Sequence, residues 1–400
     1  MPRFFLTINL LVIISLTISA CATPGAIDQA QGQTQQQPDS AGLSQDPTRT
    51  PTPTSQPSQN FPVRLAWFYK PPTDGNFSQI ASKYDFFIMS KGDEHDRDQL
   101  LSLGATRPIL QYIRIDAIMD PGSCTRTPWK NNAAYLPGDF CTISTQHPDW
   151  FLLDPKGQRF VHQNNGENFV MMDPGNPGWR AFFLERIRKT QDLDRNWDGI
   201  FLDNVEVSLA FREKEDSLPA AYQNDLSYQA AVQGFLAYMY ANYFKPYKRL
   251  LFANLVARKD DADWTKYLTY LDGAMHEGWS IDWPNGYRSA KTWEKQIALA
   301  EQTQQMHKYI ILVSQGTQAN QELQKFAFAS YLLINQGRAA FRYANSQSYD
   351  EAWLYDNYTV QLGKALGTRF RDGKAWRRNF TNGYVLVNPE THEALININN

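Results

Sequence analysis

The sequence predicts an α/β protein built as a (β/α)8 TIM barrel, and three observations predict it. Roughly 340 residues follow a polar N-terminal stretch, which suits one barrel with insertions. Eight short apolar runs alternate with segments of helical periodicity, the order of a parallel sheet with crossover helices. Two of those runs also carry the same sequence device, an Asp-Gly turn, a short strand and then an acid.

The chain opens with Arg3, the apolar run from Phe4 to Ile18, and then Ser19, Ala20 and Cys21. This is the layout of a secretory signal and too short for a spanning helix. Ile18-Ser19-Ala20-Cys21 resembles a bacterial lipobox, which implies a lipid anchor on Cys21 and export to the membrane or cell surface. From Ala22 to Asn60, Gln, Pro, Thr and Ser dominate, so this stretch cannot offset the entropy of ordering and is expected to be a linker. The domain is expected to span 61–400. If Cys21 carries lipid, Cys124 and Cys141 are the only other cysteines, an even pair in an oxidising compartment, and a disulfide between them is expected.

The predicted strands are Val63 to Tyr69, Asp85 to Ser90, Pro108 to Ile113, Gly199 to Asp203, Leu250 to Leu255, Gly273 to Glu277, Tyr309 to Ser314 and Ala339 to Tyr343. Helices are expected at Pro177 to Lys189, Leu226 to Tyr243, Ser289 to Gln305 and Asn320 to Asn335. A long insertion after the third strand, from about Arg114 to Pro177, holds both cysteines and should wall a cleft on the C-terminal face. Near the end, Arg378 to Pro389 reads as a hairpin with an alternating strand after a Gly turn.

Asp198-Gly199-Ile200-Phe201-Leu202-Asp203 and Asp272-Gly273-Ala274-Met275-His276-Glu277 place an acid at one offset from the turn. As ends of strands four and six they share parity, and alternate strands contribute to one interior layer. Asp203 and Glu277 should therefore meet at the mouth. Two facing carboxyl groups are what glycoside hydrolysis needs, one ionised and one holding a proton. Asp203 is assigned as nucleophile, kept ionised by Asn204 and Glu206. Glu277 is assigned as acid/base, its pKa raised by an apolar setting beside His276 and Trp279. Glu206 itself reads as a supporting or loop residue rather than the nucleophile.

Substrate contacts are expected from Trp67, Tyr69, Arg114, Asn204, Asn254, Trp279, Gln315, Arg342 and Tyr343, all near strand ends. Asp173 either lines the cleft or turns the chain into the next helix. The net charge of -2 lacks the footprint of a nucleic-acid binder. The six His are scattered, with no zinc motif, which disfavours a metal-dependent deacetylase; neither metal nor cofactor is expected. Aromatic residues at 14 % of the chain fit either a large core or a sugar cleft, so a barrel that binds glycan without cutting it is the competing reading.

Trp197-Asp198-Gly199-Ile200-Phe201-Leu202-Asp203-Asn204 resembles a motif of the barrel glycoside hydrolases related to the endo-α-1,4-polygalactosaminidase family. Met172-Asp173-Pro174-Gly175-Asn176-Pro177 and Asn382-Gly383-Tyr384-Val385-Leu386-Val387-Asn388-Pro389 support it. The resemblance runs from about Val63 to Pro389. It implies a (β/α)8 fold and hydrolysis of O-glycosidic bonds in a carbohydrate, with Asp203 at the family's acidic strand end. Glu277 rests on the spacing argument alone. The insertion with Cys124 and Cys141 has no counterpart in that resemblance, so the characterised substrate is not carried over.

Overall fold

The computed structural model describes residues 61–72, 75–209, 217–256, 261–282, 286–345 and 349–399. The expected signal and linker, with Cys21, lie outside the described residues.

Eight parallel strands form one sheet in sequence order. They are β1 (Ala66–Tyr69), β2 (Phe86–Ser90), β3 (Ile109–Arg114), β4 (Gly199–Glu206), β5 (Leu250–Val256), β6 (Gly273–Glu277), β7 (Tyr309–Gly316) and β8 (Ala339–Asn345). The sheet curls until Leu65 and Phe341 pair in a parallel bridge, with Phe341 N donating to Arg64 O at 2.9 Å. All eight expected strands are present, and their order is that of a (β/α)8 barrel.

The helices are α1 (Phe77–Lys83), α2 (Glu94–Ser102), α3 (Asp139–Gln146), α4 (Pro177–Leu193), α5 (Asp225–Met239), α6 (Asp261–Leu268), α7 (Ala290–Gln305) and α8 (Gln321–Ile334). Their starts follow from capping chemistry. Asn176, Asn224, Ser289 and Asn320 each accept a backbone N–H of the first turn, which stabilises each start by about 1 kcal/mol. The helix expected to reach Tyr243 leaves α geometry earlier, and Tyr240–Phe244 winds as a π turn.

Strand alternation divides the core into two layers. Phe68, Phe86, Ile88, Leu110, Phe201, Phe252, Met275 and Ile311 point inward and fill the barrel. Their outward neighbours, such as Trp67, Phe87, Ile200 and Leu202, join the larger core between sheet and helices.

The Asp-Gly turns at the N-terminal end are structural. Asp198 Oδ2 accepts Ile109 N at 2.7 Å, and Asp272 Oδ2 accepts Leu251 N at 2.9 Å. Asp85, before β2, repeats the device by accepting Leu65 N at 3.1 Å. Each even strand among the first six is thus tied to the start of the odd strand before it. The glycine that follows is needed for close approach: a Cβ on Gly273 would lie 2.3 Å from the Phe252 ring and 2.7 Å from Tyr309 O. Gly273→Ala is expected to cost about 1–3 kcal/mol of stability through overpacking. An unchanged midpoint in denaturant unfolding would contradict that fit.

The insertion folds into an antiparallel three-stranded sheet, Ala117–Asp120, Glu167–Met171 and Val161–Asn164, with α3 beside it. Cys124 and Cys141 are disulfide-bonded, Cα to Cα 5.7 Å. At the C-terminus the expected hairpin is the centre of a larger unit. Ala375–Phe380 and Gly383–Asn388 pair as foreseen, but Phe370–Asp372 and Glu393–Ile398 flank them in a four-stranded antiparallel sheet. The outer strands are short or largely exposed, so no clean alternation marked them in the sequence.

Candidate active site

The inward row continues past the apolar layers to the C-terminal ends of the strands, where it turns polar: Tyr112 and Arg114 on β3, Asp203 on β4, Asn254 on β5, Glu277 on β6 and Gln315 on β7. Asp203 and Glu277 do meet, as their shared parity required, and Asn254 on the strand between them joins the two. Its Nδ2 donates to Asp203 Oδ1 at 3.2 Å and to Glu277 Oε2 at 2.9 Å.

Each acid has a second, separate donor. Tyr112 Oη donates to Asp203 Oδ2 at 2.5 Å. Tyr349 Oη donates to Glu277 Oε1 at 3.2 Å and itself receives a bond from Gln315 Nε2. A hydrogen-bonded line therefore runs from Gln315 through Tyr349, Glu277, Asn254 and Asp203 to Tyr112.

Tyr69 reaches the mouth by breaking alternation. Ala66 and Phe68 point inward, so the next side chain should point out, but the Tyr69 backbone sits at φ +79° and returns the ring to the interior. There it meets Tyr112 at 5.0 Å and Tyr349 at 5.4 Å between ring centroids, both edge-on. Asn204, at φ +58°, marks an irregularity in β4, where the pairing with β5 shifts register between Leu202 and Val205. It sends its amide toward Asp116 Oδ1, 3.4 Å away. Arg114 binds Asp116 with two bonds of 2.9 Å and lies 4.5 Å above the Phe169 ring of the insertion.

Tyr69, Arg114, Asp116, Asp203, Asn204, Asn254 and Glu277 line a cavity of about 350 Å³, completed by Val256, by Met171 and His162 from the insertion sheet and by Glu206. The insertion thus walls the cleft. A second cavity, about 480 Å³, is lined by Leu255, His276, Asp282 and Arg288 and shares Asn254, Val256 and Glu277 with the first.

Both carboxyl groups are pushed above the ordinary range. For Glu277 the cause is first the protein packed around it, then the negative charge of Asp203; the bonds from Asn254 and Tyr349 pull the other way. Its side chain is nonetheless open to the cleft, so solvent moderates the effect. Asp203 is raised by burial and by Asp116, against the bonds from Tyr112 and Asn254 and the charge of Arg114. His276 is held neutral, its pKa lowered to about 4 by burial and by Arg288.

The reasons expected for these environments need correction. Trp279 is not what surrounds the Glu277 carboxyl, since it is fully buried and donates Nε1 to Ala327 O at 3.2 Å, whereas His276 lines the second cavity beside that carboxyl. Asn204 faces Asp116, and the donors to Asp203 are Tyr112 and Asn254.

Of the expected substrate contacts, Tyr69, Arg114, Asn204 and Asn254 line the cleft, and Gln315 stands behind Tyr349. Trp67, Trp279, Arg342, Tyr343 and Asp173 do not. Trp67 and Tyr343 lie on outward positions, buried, with Trp67 Nε1 on Lys70 O (2.8 Å) and Tyr343 Oη on Thr317 O (3.2 Å). Arg342 is buried and occupied by the carbonyls of Tyr349 and Glu351, at 2.9 and 3.1 Å. Asp173 serves the turn into α4, accepting Gly175 N at 2.8 Å and the Tyr222 hydroxyl.

Sequence reasoning missed Tyr112, Tyr349, Asp116 and His162; Glu206, read as a supporting or loop residue, ends β4 and lines the cleft beside Asp203. Tyr112 carried a usable signal, since it sits two residues before Arg114 on the inward face of β3. His162 arrives on the insertion, far from any barrel strand end, and Tyr349 lies four residues past Asn345, the end of β8, where strand alternation no longer places a side chain; neither carried a usable signal.

Comparison with known proteins agrees with the resemblance read from the motifs. No curated protein matches the sequence. Among solved structures, the glycoside hydrolase domain of PelA from Pseudomonas aeruginosa aligns at 15 % identity over 73 % of this chain and 97 % of its own, TM-score 0.46. An α-galactosidase from Thermus thermophilus aligns at 12 % identity over 84 % of this chain and 67 % of its own, TM-score 0.45. A profile described as hypothetical glycosyl hydrolase family 15 matches residues 125–384, well over half of the chain. The protein belongs to that hypothetical glycosyl hydrolase family and is a glycoside hydrolase.

Proposed function

We propose that the protein is an exported, lipid-anchored glycoside hydrolase that cleaves a poly- or oligosaccharide by a retaining mechanism, with Asp203 as nucleophile and Glu277 as acid/base. The observation that carries the reading is the Asn254 amide shared by both acids. Because both bonds, 3.2 and 2.9 Å long, end on one nitrogen, the facing oxygens Asp203 Oδ1 and Glu277 Oε2 are held close together, which supports the shorter of the two carboxyl spacings that glycoside hydrolysis uses. An inverting pair stands roughly 6.5–9.5 Å apart to admit a water, whereas a retaining pair stands about 5–5.5 Å apart.

The two cavities support the division of roles. Asp203 lines only the first, whereas Glu277 lines both. A general acid must stand between the sugar that is attacked and the group that leaves, which suits the shared residue. In the first step Glu277 gives its proton to the glycosidic oxygen as the C1–O bond breaks and Asp203 bonds to C1. In the second, ionised Glu277 takes a proton from water, whose oxygen bonds to C1 and releases Asp203. The raised pKa of Glu277 fits a group that starts protonated.

Export and anchoring rest on the signal and Cys21, and a disulfide between Cys124 and Cys141 is what an oxidising compartment favours. Mass spectrometry of the mature N-terminus should find acylated Cys21; an intact signal or a cleaved, unmodified chain would remove the anchor. The activity is tested by reducing-end release from a panel of α- and β-linked polysaccharides, with the anomer of the first-formed product followed by NMR. Release with the substrate's own anomeric configuration is expected. Inverted product would overturn the mechanism, and binding without release would leave a non-catalytic glycan-binding barrel.

A further inference from the structure

Tyr349 is fixed at three places. Its carbonyl accepts from the buried Arg342 guanidinium at 2.9 Å, which also holds Glu351 O at 3.1 Å. Its ring packs against Phe68 and Tyr69, at 4.8 and 5.4 Å between centroids. Its hydroxyl lies between Gln315 Nε2 and Glu277 Oε1. A phenol has one proton to give, and an ionised carboxylate can only accept. The proton therefore points at Glu277, and the Gln315 amide N–H supplies the hydroxyl oxygen from behind.

We infer that Tyr349 is a positioning residue for the acid/base: clamped by Arg342 and oriented by Gln315, its hydroxyl fixes the plane of the Glu277 carboxyl and favours the ionised form. This rests on the role proposed above for Glu277. The other groups facing that carboxyl are Asp203 on β4, Asn254 on β5 and Tyr69 on β1, with the Asp282–Arg288 pair across the second cavity and His276, neutral, as its neighbour on β6. Asp203 holds the proton on Glu277, whereas Tyr349 and Asn254 favour its release. The acid/base must do both in one turnover. Once Asp203 is esterified to the sugar its charge is gone, the opposing donors remain, and Glu277 becomes the base that activates water.

Removing the donor has a definite sign. The carboxylate loses stabilisation, so Glu277 should keep its proton to higher pH. The test is a 13C-carboxyl NMR titration of the full chain labelled in glutamate, with the Glu277 signal identified by its loss in Glu277→Gln. Tyr349→Phe, which keeps the packed ring, is expected to raise the midpoint by about one pH unit, the size of one hydrogen bond to a charged group. Gln315→Met, which frees the hydroxyl to turn away, should raise it by less. The basic limb of kcat/KM should move upward with the midpoint. An unchanged or lowered midpoint in Tyr349→Phe, with near-ultraviolet circular dichroism preserved, would overturn the inference. The titration is read on the free protein: a shifted midpoint with no glycan cleaved by the parent removes the catalytic reading alone, and a cleaved glycan with no shift removes the role of Tyr349 alone.

Discussion

Asp203→Asn is expected to lower kcat/KM on the cleaved glycan by on the order of 10⁴-fold, because no other carboxylate on the inward row stands where Asp203 does to accept C1. The substitution should be tolerated by its surroundings. The new amide oxygen can still accept Asn254 Nδ2, and its NH₂ can donate to the Tyr112 hydroxyl, which turns from donor to acceptor. Stability provides the control. The Asp203 carboxyl is raised in the folded protein, so the folded state binds its proton more tightly than the unfolded chain does. Ionisation of that group costs nothing below the unfolded carboxylate range and its full amount above the raised folded value. The variant should therefore be at least as stable as the parent at neutral pH, with the difference closing as pH falls through that window. A folded variant within tenfold of parental activity would eliminate Asp203 as nucleophile.

Glu277→Gln should cost about 10²–10⁴-fold on the same glycan, the usual contribution of a general acid and base. The loss should depend on the leaving group, which sets this variant apart from Asp203→Asn. An aryl glycoside with an acidic phenol leaves without a proton, so formation of the glycosyl-enzyme should survive and its hydrolysis become limiting. A burst of phenol followed by slow turnover is the expected time course. The basic limb of the pH profile, which reports loss of the Glu277 proton, should vanish. Equal losses on glycan and aryl substrate, with the limb retained, would move the acid role elsewhere.

Much of this centre was legible because strand parity is a local property. Eight apolar runs and their inward faces can be counted along the chain, and two acids at one offset from matching turns must meet if the strands share a barrel layer. Asn254 and Arg114 follow from the same count. Residues chosen for chemical type at strand ends fared worse: Trp67 and Tyr343 are flat and aromatic, but one step off parity places them in the helix-facing core. Tyr69 shows the opposite case, since its left-handed backbone cannot be read from side-chain pattern and reverses the face. Arg342 illustrates a different limit. A buried guanidinium needs acceptors, and besides Ala66 O on β1, 3.4 Å away, those it found are carbonyls of the chain beyond β8, whose path alternation does not specify.

The carboxylates beneath the strands bear on the cleft above them. Asp198 and Asp272 tie β4 and β6 to the starts of β3 and β5, and each proposed catalytic acid stands five residues further along its own strand. At about 3.3 Å per residue, both acids sit roughly 16 Å along their strands from a fixed datum. The barrel thus gauges the height of its reactive groups from its far end, as two rods cut to one length and seated on one floor. Loops at the rim can lengthen, change or acquire a disulfide without tilting one acid against the other, so substrate preference can drift while the reacting pair stays level.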